Sequence, residues 1–138
     1  MIARQLSVFV ENRMGSLYEI AEALADNGVD IRAITLADTV EFGILRLIVS
    51  DPDRAMEILK AKSFAVSITE VIAVKVSDRP GGLKEVLGIL REANISVEYV
   101  YAFVSKSVDA SVILHVQDNR RALEVLAEHG VPLMDEVY

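Results

Sequence analysis

The chain contains no cysteine and only two histidines, His115 and His129, among its 138 residues. Without thiols there can be no disulfide framework, cysteine nucleophile, redox pair or thiolate metal site. Two imidazoles exclude a histidine-rich zinc centre, whereas counting alone leaves carboxylate sites for magnesium or calcium open. Positive charge is also scarce, with 14 Lys and Arg against 21 Asp and Glu and a net charge of −7. Arg120 and Arg121 are the sole adjacent basic pair. The counterion-displacing surface of a nucleic-acid binder is therefore absent. Long apolar runs are missing too: residues 42–49 are strand-sized and broken by Arg46, far short of the roughly 20 residues of a membrane span. Arg4 and Gln5 interrupt the apolar start before a signal-peptide core could form. These absences predict a cytoplasmic protein with no membrane or nucleic-acid partner, no metal and no cofactor.

What the chain does contain is a repeat. Shifted by 66 residues, Leu6-Ser7-Val8-Phe9-Val10-Glu11-Asn12-Arg13-Met14-Gly15-Ser16-Leu17 falls over Ile72-Ala73-Val74-Lys75-Val76-Ser77-Asp78-Arg79-Pro80-Gly81-Gly82-Leu83. Val8, Val10, Arg13, Gly15 and Leu17 recur identically, and Glu19 and Leu24 fall over Glu85 and Leu90. One inserted residue within 106–109 moves the offset to 67, at which Leu47, Val49, Asp51, Arg54, Ala55, Glu57 and Leu59 recur through to Leu126. Charge divides evenly, with 7 basic and 11 acidic groups in residues 1–70 and 7 and 10 in residues 71–138. Two domains are expected, 1–70 and 71–138.

Both copies follow the same local rules. Leu6, Val8 and Val10 alternate as in a strand covered on one face. A helix follows, carrying Leu17, Ile20, Ala21 and Leu24, or Leu83, Val86, Leu87 and Leu90 in the second copy. Its stop is Gly28 or Asn94, the two residue types most tolerant of positive φ. Two strands come next, over 31–37 and 42–49, and over 97–104 and 110–116. Asp51 before Pro52 is a helix cap followed by the proline favoured at the first helical position, with Ala55, Ile58 and Leu59 facing inward. Asp118, Ala122, Val125 and Leu126 repeat that pattern ahead of Gly130. Closing strands over 65–71 and 133–138 complete β-α-β-β-α-β twice. The predicted class is α+β: two ferredoxin-like units, each an antiparallel four-stranded sheet with helices on one face. Residues 65–76 read as unbroken extended chain, so no linker separates the copies. A unit of about 66 residues buries only about 60% of its unfolded surface, which favours packing of the two.

The turn after each first strand holds the most chemistry. Glycines there allow close approach to the backbone, and the free N–H groups of a first helical turn favour an anion. No lysine lies in either turn, and the glycine spacing matches neither a phosphate-binding loop nor a dinucleotide fingerprint. Asn12 and Asp78 offer oxygens able to accept from an ammonium. Carboxylate and ammonium acceptance side by side describe an α-amino acid; the competing reading has Asn12 and Asp78 capping the helices and nothing more.

Asp78-Arg79-Pro80-Gly81-Gly82-Leu83 with Ala93-Asn94-Ile95-Ser96-Val97 resembles the ACT domain, a small-molecule sensing module. Val10-Glu11-Asn12-Arg13-Met14-Gly15-Ser16-Leu17 with Asn27-Gly28-Val29-Asp30-Ile31 resembles it a second time, so the likeness covers the whole chain as two copies. It implies a non-catalytic regulatory protein that binds a free amino acid between paired domains. The ligand would touch the turn of one domain, Asn12, Met14, Gly15, Ser16 and Leu17 or Asp78, Pro80, Gly81, Gly82 and Leu83. It would also touch the start of the second strand of a neighbour, Asp30 and Ile31 or Ser96 and Val97. Met14 departs from the proline common at its position in the family. The resemblance also implies a homodimer, and as the alternative a regulatory subunit of a metabolic enzyme of the acetolactate synthase small-subunit type.

Elsewhere the residues suggest structure rather than chemistry. His115 alternates out of phase with Val112, Leu114 and Val116, which places it on the sheet face away from the helices, and no Ser and Asp accompany it as a triad. His129 falls at a helix C-terminus, where a cation is favoured. Tyr99, Tyr101 and Phe103 form a one-sided stripe read as packing. No reaction can be proposed from these residues, and no enzyme is expected.

Overall fold

The computed structural model describes residues 1–38, 41–103 and 110–134. They form two compact units, one spanning Arg4–Thr69 and the other beginning at Glu70 and including Met1–Ala3.

In the N-terminal unit the chain runs through β1 (Ile2–Glu11), α1 (Ser16–Asp26), β2 (Ile31–Asp38), β3 (Phe42–Val49), α2 (Pro52–Ala61) and the first part of β4 (Ala65–Val76). The strands lie in the order β2-β3-β1-β4, with β3 antiparallel to both β1 and β2. Pairing Leu6 with Leu47 and Val8 with Leu45 puts the alternating apolar residues of both strands on one face. Ile20 and Leu24 of α1 and Ala55 and Leu59 of α2 close over that face as one core, and α1 packs on α2. β2 is left at the sheet edge, with Ile34 and Leu36 exposed.

The C-terminal unit repeats the plan with the rest of β4, then α3 (Gly82–Glu92), β5 (Tyr99–Phe103), β6 (Ala110–His115) and α4 (Asn119–Glu128). β6 lies between β4 and β5, antiparallel to both. Ile72, Val74, Val112 and Leu114 meet Val86, Leu90, Ala122 and Leu126 in its core. Met1 belongs here because its carbonyl accepts a hydrogen bond from the Ala73 amide at 3.0 Å.

Helix boundaries follow their sequence signals. Asp51 and Asp118 cap α2 and α4, each Oδ1 accepting from the backbone N–H three residues on, Arg54 and Arg121, at 3.1 Å. Gly28, Asn94 and Gly130 take φ of 71°, 56° and 71° at the ends of α1, α3 and α4. The inward stripe of the first helices differs from expectation. Ser16, Ile20, Ala23 and Leu24 are buried in α1, while Leu17 and Ala21 face outward. In α3, Leu83 is likewise exposed and Leu87 only half-buried. At about 100° per residue Ser16, Ile20, Ala23 and Leu24 share one face of α1, with Leu17 at its edge in the exposed first turn and Ala21 beyond that edge. β5 is shorter than the expected 97–104, beginning at Tyr99, and Val104 lies outside the described residues. Of the closing strand expected over 133–138, Leu133 forms an isolated bridge with Val74, and residues 135–138 lie outside the described residues.

Candidate functional site

The site is built where β1 ends and α1 begins. Gly15 is the N-cap of α1, with φ 87° and ψ −6°, and Gly81 is its counterpart in α3, with φ 89° and ψ −5°. That left-handed conformation penalises any residue with a Cβ, which accounts for glycine at both positions. Because glycine has no side chain to offer, neither helix has a side-chain cap. Asn12 and Asp78 therefore do not cap the helices, and the competing reading of these two residues falls. The Ser16 amide donates to Arg13 O at 3.3 Å and the Glu19 amide to Gly15 O at 2.9 Å. The Leu17 and Tyr18 amides between them have no acceptor among the described residues, as expected for an uncapped first turn. Ser16 itself is 4% exposed, and its Oγ is buried without a partner among the described residues.

A cavity of about 260 Å3 opens beside this turn, lined by Val10, Glu11, Asn12, Arg13, Gly15, Ser16, Leu17, Tyr18, Leu36 and Gly43. Its apolar wall is Val10, Leu17, Tyr18 and Leu36. Leu36 lies across Gly43, where a Cβ would come within 2.9 Å of Leu36 Cδ1. The charged pair at its rim is already engaged: Arg13 donates to Glu19 from Nη1 at 3.1 Å and Nη2 at 2.9 Å, with Glu11 3.6 Å from its Nε. The hydrogen bond to Glu19 raises the Arg13 pKa and lowers that of Glu19. Tyr18 is tied to Glu22, whose hydrogen bond and charge push its hydroxyl pKa up. A second cavity on the other side of the turn, lined by residues including Phe9, Arg13, Glu19, Lys62 and Phe64, has a counterpart in the C-terminal unit at Lys75, Gly82, Glu85 and Pro132.

The expected residues thus fall into separate groups. Asn12, Gly15, Ser16 and Leu17 share the first cavity, whereas Met14 is 99% exposed and lies outside its lining. Asp78, Pro80, Gly81, Gly82 and Leu83 form the equivalent turn, tighter at Gly82, where a Cβ would meet Ser77 O at 2.0 Å. Asp30 and Ile31 lie at the far end of β2. Ile31 pairs with Val49, whereas Gly43, at the cavity, pairs with Val10. Asp30 is occupied locally, its amide donating to Ser50 Oγ at 2.9 Å and its carboxylate lying 3.3 Å from Arg32 Nε. Ser96 and Val97 precede β5 at the corresponding far end. The other lining residues, Val10, Glu11, Arg13, Tyr18, Leu36 and Gly43, were not among the contacts expected from the sequence. The available signal for Leu36 and Tyr18 was a bulky apolar side chain at the edge of its element.

The two histidines have local contacts. His115 pairs with Tyr99 across the sheet, stacks on its ring at a centroid distance of 4.8 Å, and places Nδ1 2.7 Å from Glu98 Oε2. His129 Nδ1 lies 2.8 Å from Val125 O at the end of α4. Among the described residues no cluster of three or more His, Asp or Glu could hold a metal ion, and no helix is long and apolar enough to cross a membrane.

Residues 1–137 match the protein family described as an ACT domain pair. The chain belongs to that family. ACT domains are regulatory modules rather than catalytic ones. This ACT pair is similar to the crystal structure of protein BT0572 from Bacteroides thetaiotaomicron, at 41% identity and a TM-score of 0.91, covering 97% of this chain and 92% of that one. It shares its fold with the ligand-free regulatory subunit of aspartate kinase from Thermus thermophilus, at 16% identity and a TM-score of 0.67, covering 93% and 96%. Comparison with curated proteins gives no match.

Proposed function

We propose that this ACT pair binds a free α-amino acid at a strand-to-helix turn and converts its occupancy into a regulatory signal, with no chemistry performed on the ligand. The observation that carries the reading is the uncapped start of α1. The Leu17 and Tyr18 amides and the Ser16 hydroxyl have no partners among the described residues, and they adjoin a cavity smaller than the roughly 300–1,000 Å3 of sites for drug-sized ligands. A carboxylate satisfies the amides and is favoured by the helix dipole. The Asn12 carbonyl oxygen is available to the ammonium.

The reading extends to assembly as a homodimer. Asp30 and Ile31 lie at the end of β2 away from the turn of their own unit, so in this reading they contribute to the turn of another unit, as a second copy would supply. The exposed edge of β2, with Ile34 and Leu36, supplies a surface for such pairing. Thermal unfolding measured against each of the twenty amino acids tests the proposal. A ligand at 100 times its Kd adds about 2.7 kcal/mol, a shift of several degrees for a chain of this size. A folded protein whose midpoint moves with none of them overturns it. Sedimentation with and without the active amino acid reports the dimer.

A further inference from the structure

The two turns share a motif but not a wall, and this difference bears on what is bound and where. Beside the N-terminal turn, Leu17, Tyr18 and Leu36 present apolar surface to the cavity. The repeat places Lys84 where Tyr18 stands and Ala102 where Leu36 stands. Ser16 gives way to Gly82, and the chain there closes so tightly on Ser77 O that no side chain fits. The buried, unpartnered Ser16 hydroxyl therefore has no equivalent in the C-terminal turn. Charge supplies the rest of the argument. Arg13, the cation at the first cavity, is held by Glu19 and flanked by Glu11, so an acidic ligand side chain meets no unpaired cation there, and a basic one meets only exposed carboxylates that Arg13 already engages, a contact worth little in water. Burying such a side chain against Val10, Leu17 and Leu36 would be costly. An aliphatic or aromatic side chain gains from the same contact.

We propose that the N-terminal turn, and not the C-terminal one, is the amino-acid site of this chain, and that it selects an amino acid with an apolar side chain. This rests on the reading of the protein as an amino-acid binder. Calorimetric titration of the full chain with L-leucine, L-valine, L-methionine and L-phenylalanine, and in parallel with L-serine, L-aspartate and L-lysine, gives the first test. At least one of the apolar set should bind more tightly than all three polar ones. Leu36→Ser should then weaken the preferred ligand about tenfold, the loss expected for part of a leucine contact. Ala102→Ser, at the equivalent place in the C-terminal unit, should leave affinity unchanged. Leu36 is 45% exposed, so its variant should keep the fold, which circular dichroism verifies; Leu17→Ser serves in its place if it does not. A polar or charged amino acid that binds best, or a loss caused by Ala102→Ser and not by Leu36→Ser, overturns this inference and leaves amino-acid binding standing. Failure of all twenty amino acids to bind overturns both.

Discussion

Arg13 and Glu19 clasp the turn between β1 and α1 through two parallel hydrogen bonds of 3.1 and 2.9 Å. Arg79 holds Glu85 at the same place in the second copy. Each clasp links the loop to the first turn of the helix it precedes, so the loop is fixed against the helix whose N–H groups it leaves open. Both partners are exposed, and such pairs contribute little to stability. Their consequence is geometric and electrostatic: they position the turn and neutralise the one guanidinium at the cavity rim.

The clasp predicts a titration. The hydrogen bond from Arg13, more than its charge, holds the Glu19 carboxyl below the ordinary carboxylate range. A pKa lower in the folded than in the unfolded chain stabilises the fold at pH above the unfolded value, and this contribution is lost as pH falls through the folded value. In an NMR titration, Arg13→Gln should raise the Glu19 pKa toward that of a free glutamate, and high salt should raise it partway in the wild type. An unmoved Glu19 would mean that the clasp does not form in solution.

Gly82 predicts an inequality between the copies. A Cβ at residue 82 would meet a backbone carbonyl oxygen at 2.0 Å, which cannot swing aside as a flexible side chain can. Gly82→Ala should therefore destabilise the protein by about 1–3 kcal/mol, the range for overpacked sites. Ser16→Ala, at a position that already accommodates a Cβ, should cost less or even stabilise by removing a buried unpaired hydroxyl. Urea unfolding of the two variants against wild type decides the order.

The parts of this architecture legible in the sequence are those governed by local rules. Period-two alternation at Leu6, Val8 and Val10, the Asp51-Pro52 start signal and the Gly28 and Asn94 stops all report on a residue's own neighbourhood. The phase of α1 does not. Hydropathy alone points Leu17 inward and Ser16 outward, and docking of the helix on its sheet reverses both. The wall of the cavity depends on register, because Leu36 reaches Gly43 only through the pairing of β2 with β3. Met1–Ala3 join the C-terminal unit through a hydrogen bond to Ala73, 72 residues away in sequence, which no local pattern encodes. The turn motif was readable as a motif, but the tightness of Gly82 against Ser77 is a property of the folded backbone.

An arginine in the second helix of each unit reaches the end of the first. Arg121 Nη2 donates to Ala93 O at 2.6 Å, and Arg54 Nε to Asn27 O at 3.3 Å. A cation at terminal helix carbonyls is favoured by the dipole as well as by the hydrogen bond. Both contacts are exposed, so Arg121→Ala should cost about 0.5–1.5 kcal/mol and Arg54→Ala, with the longer bond, less. Amide hydrogen exchange should speed up locally at the α3 C-terminus in the first variant and at the α1 C-terminus in the second.

Leu17 and Leu24 lie two turns apart on α1 with opposite fates, and their alanine variants should separate folding from binding. Leu24 is fully buried among Leu6, Val8 and Leu59 in the N-terminal core. Its truncation leaves a cavity and should cost about 2–5 kcal/mol. Leu17 is 40% exposed and lines the cavity beside the turn. Leu17→Ala should shift the urea midpoint only slightly, because most of the removed surface is in water before and after. If the cavity holds the side chain of an amino acid, the same change should weaken that ligand several-fold while the fold stays intact. The paired measurement, denaturant unfolding and ligand titration on both variants, would show stability lost at Leu24 and affinity lost at Leu17. Equal losses of stability at the two positions would place Leu17 in the core and remove it from the site.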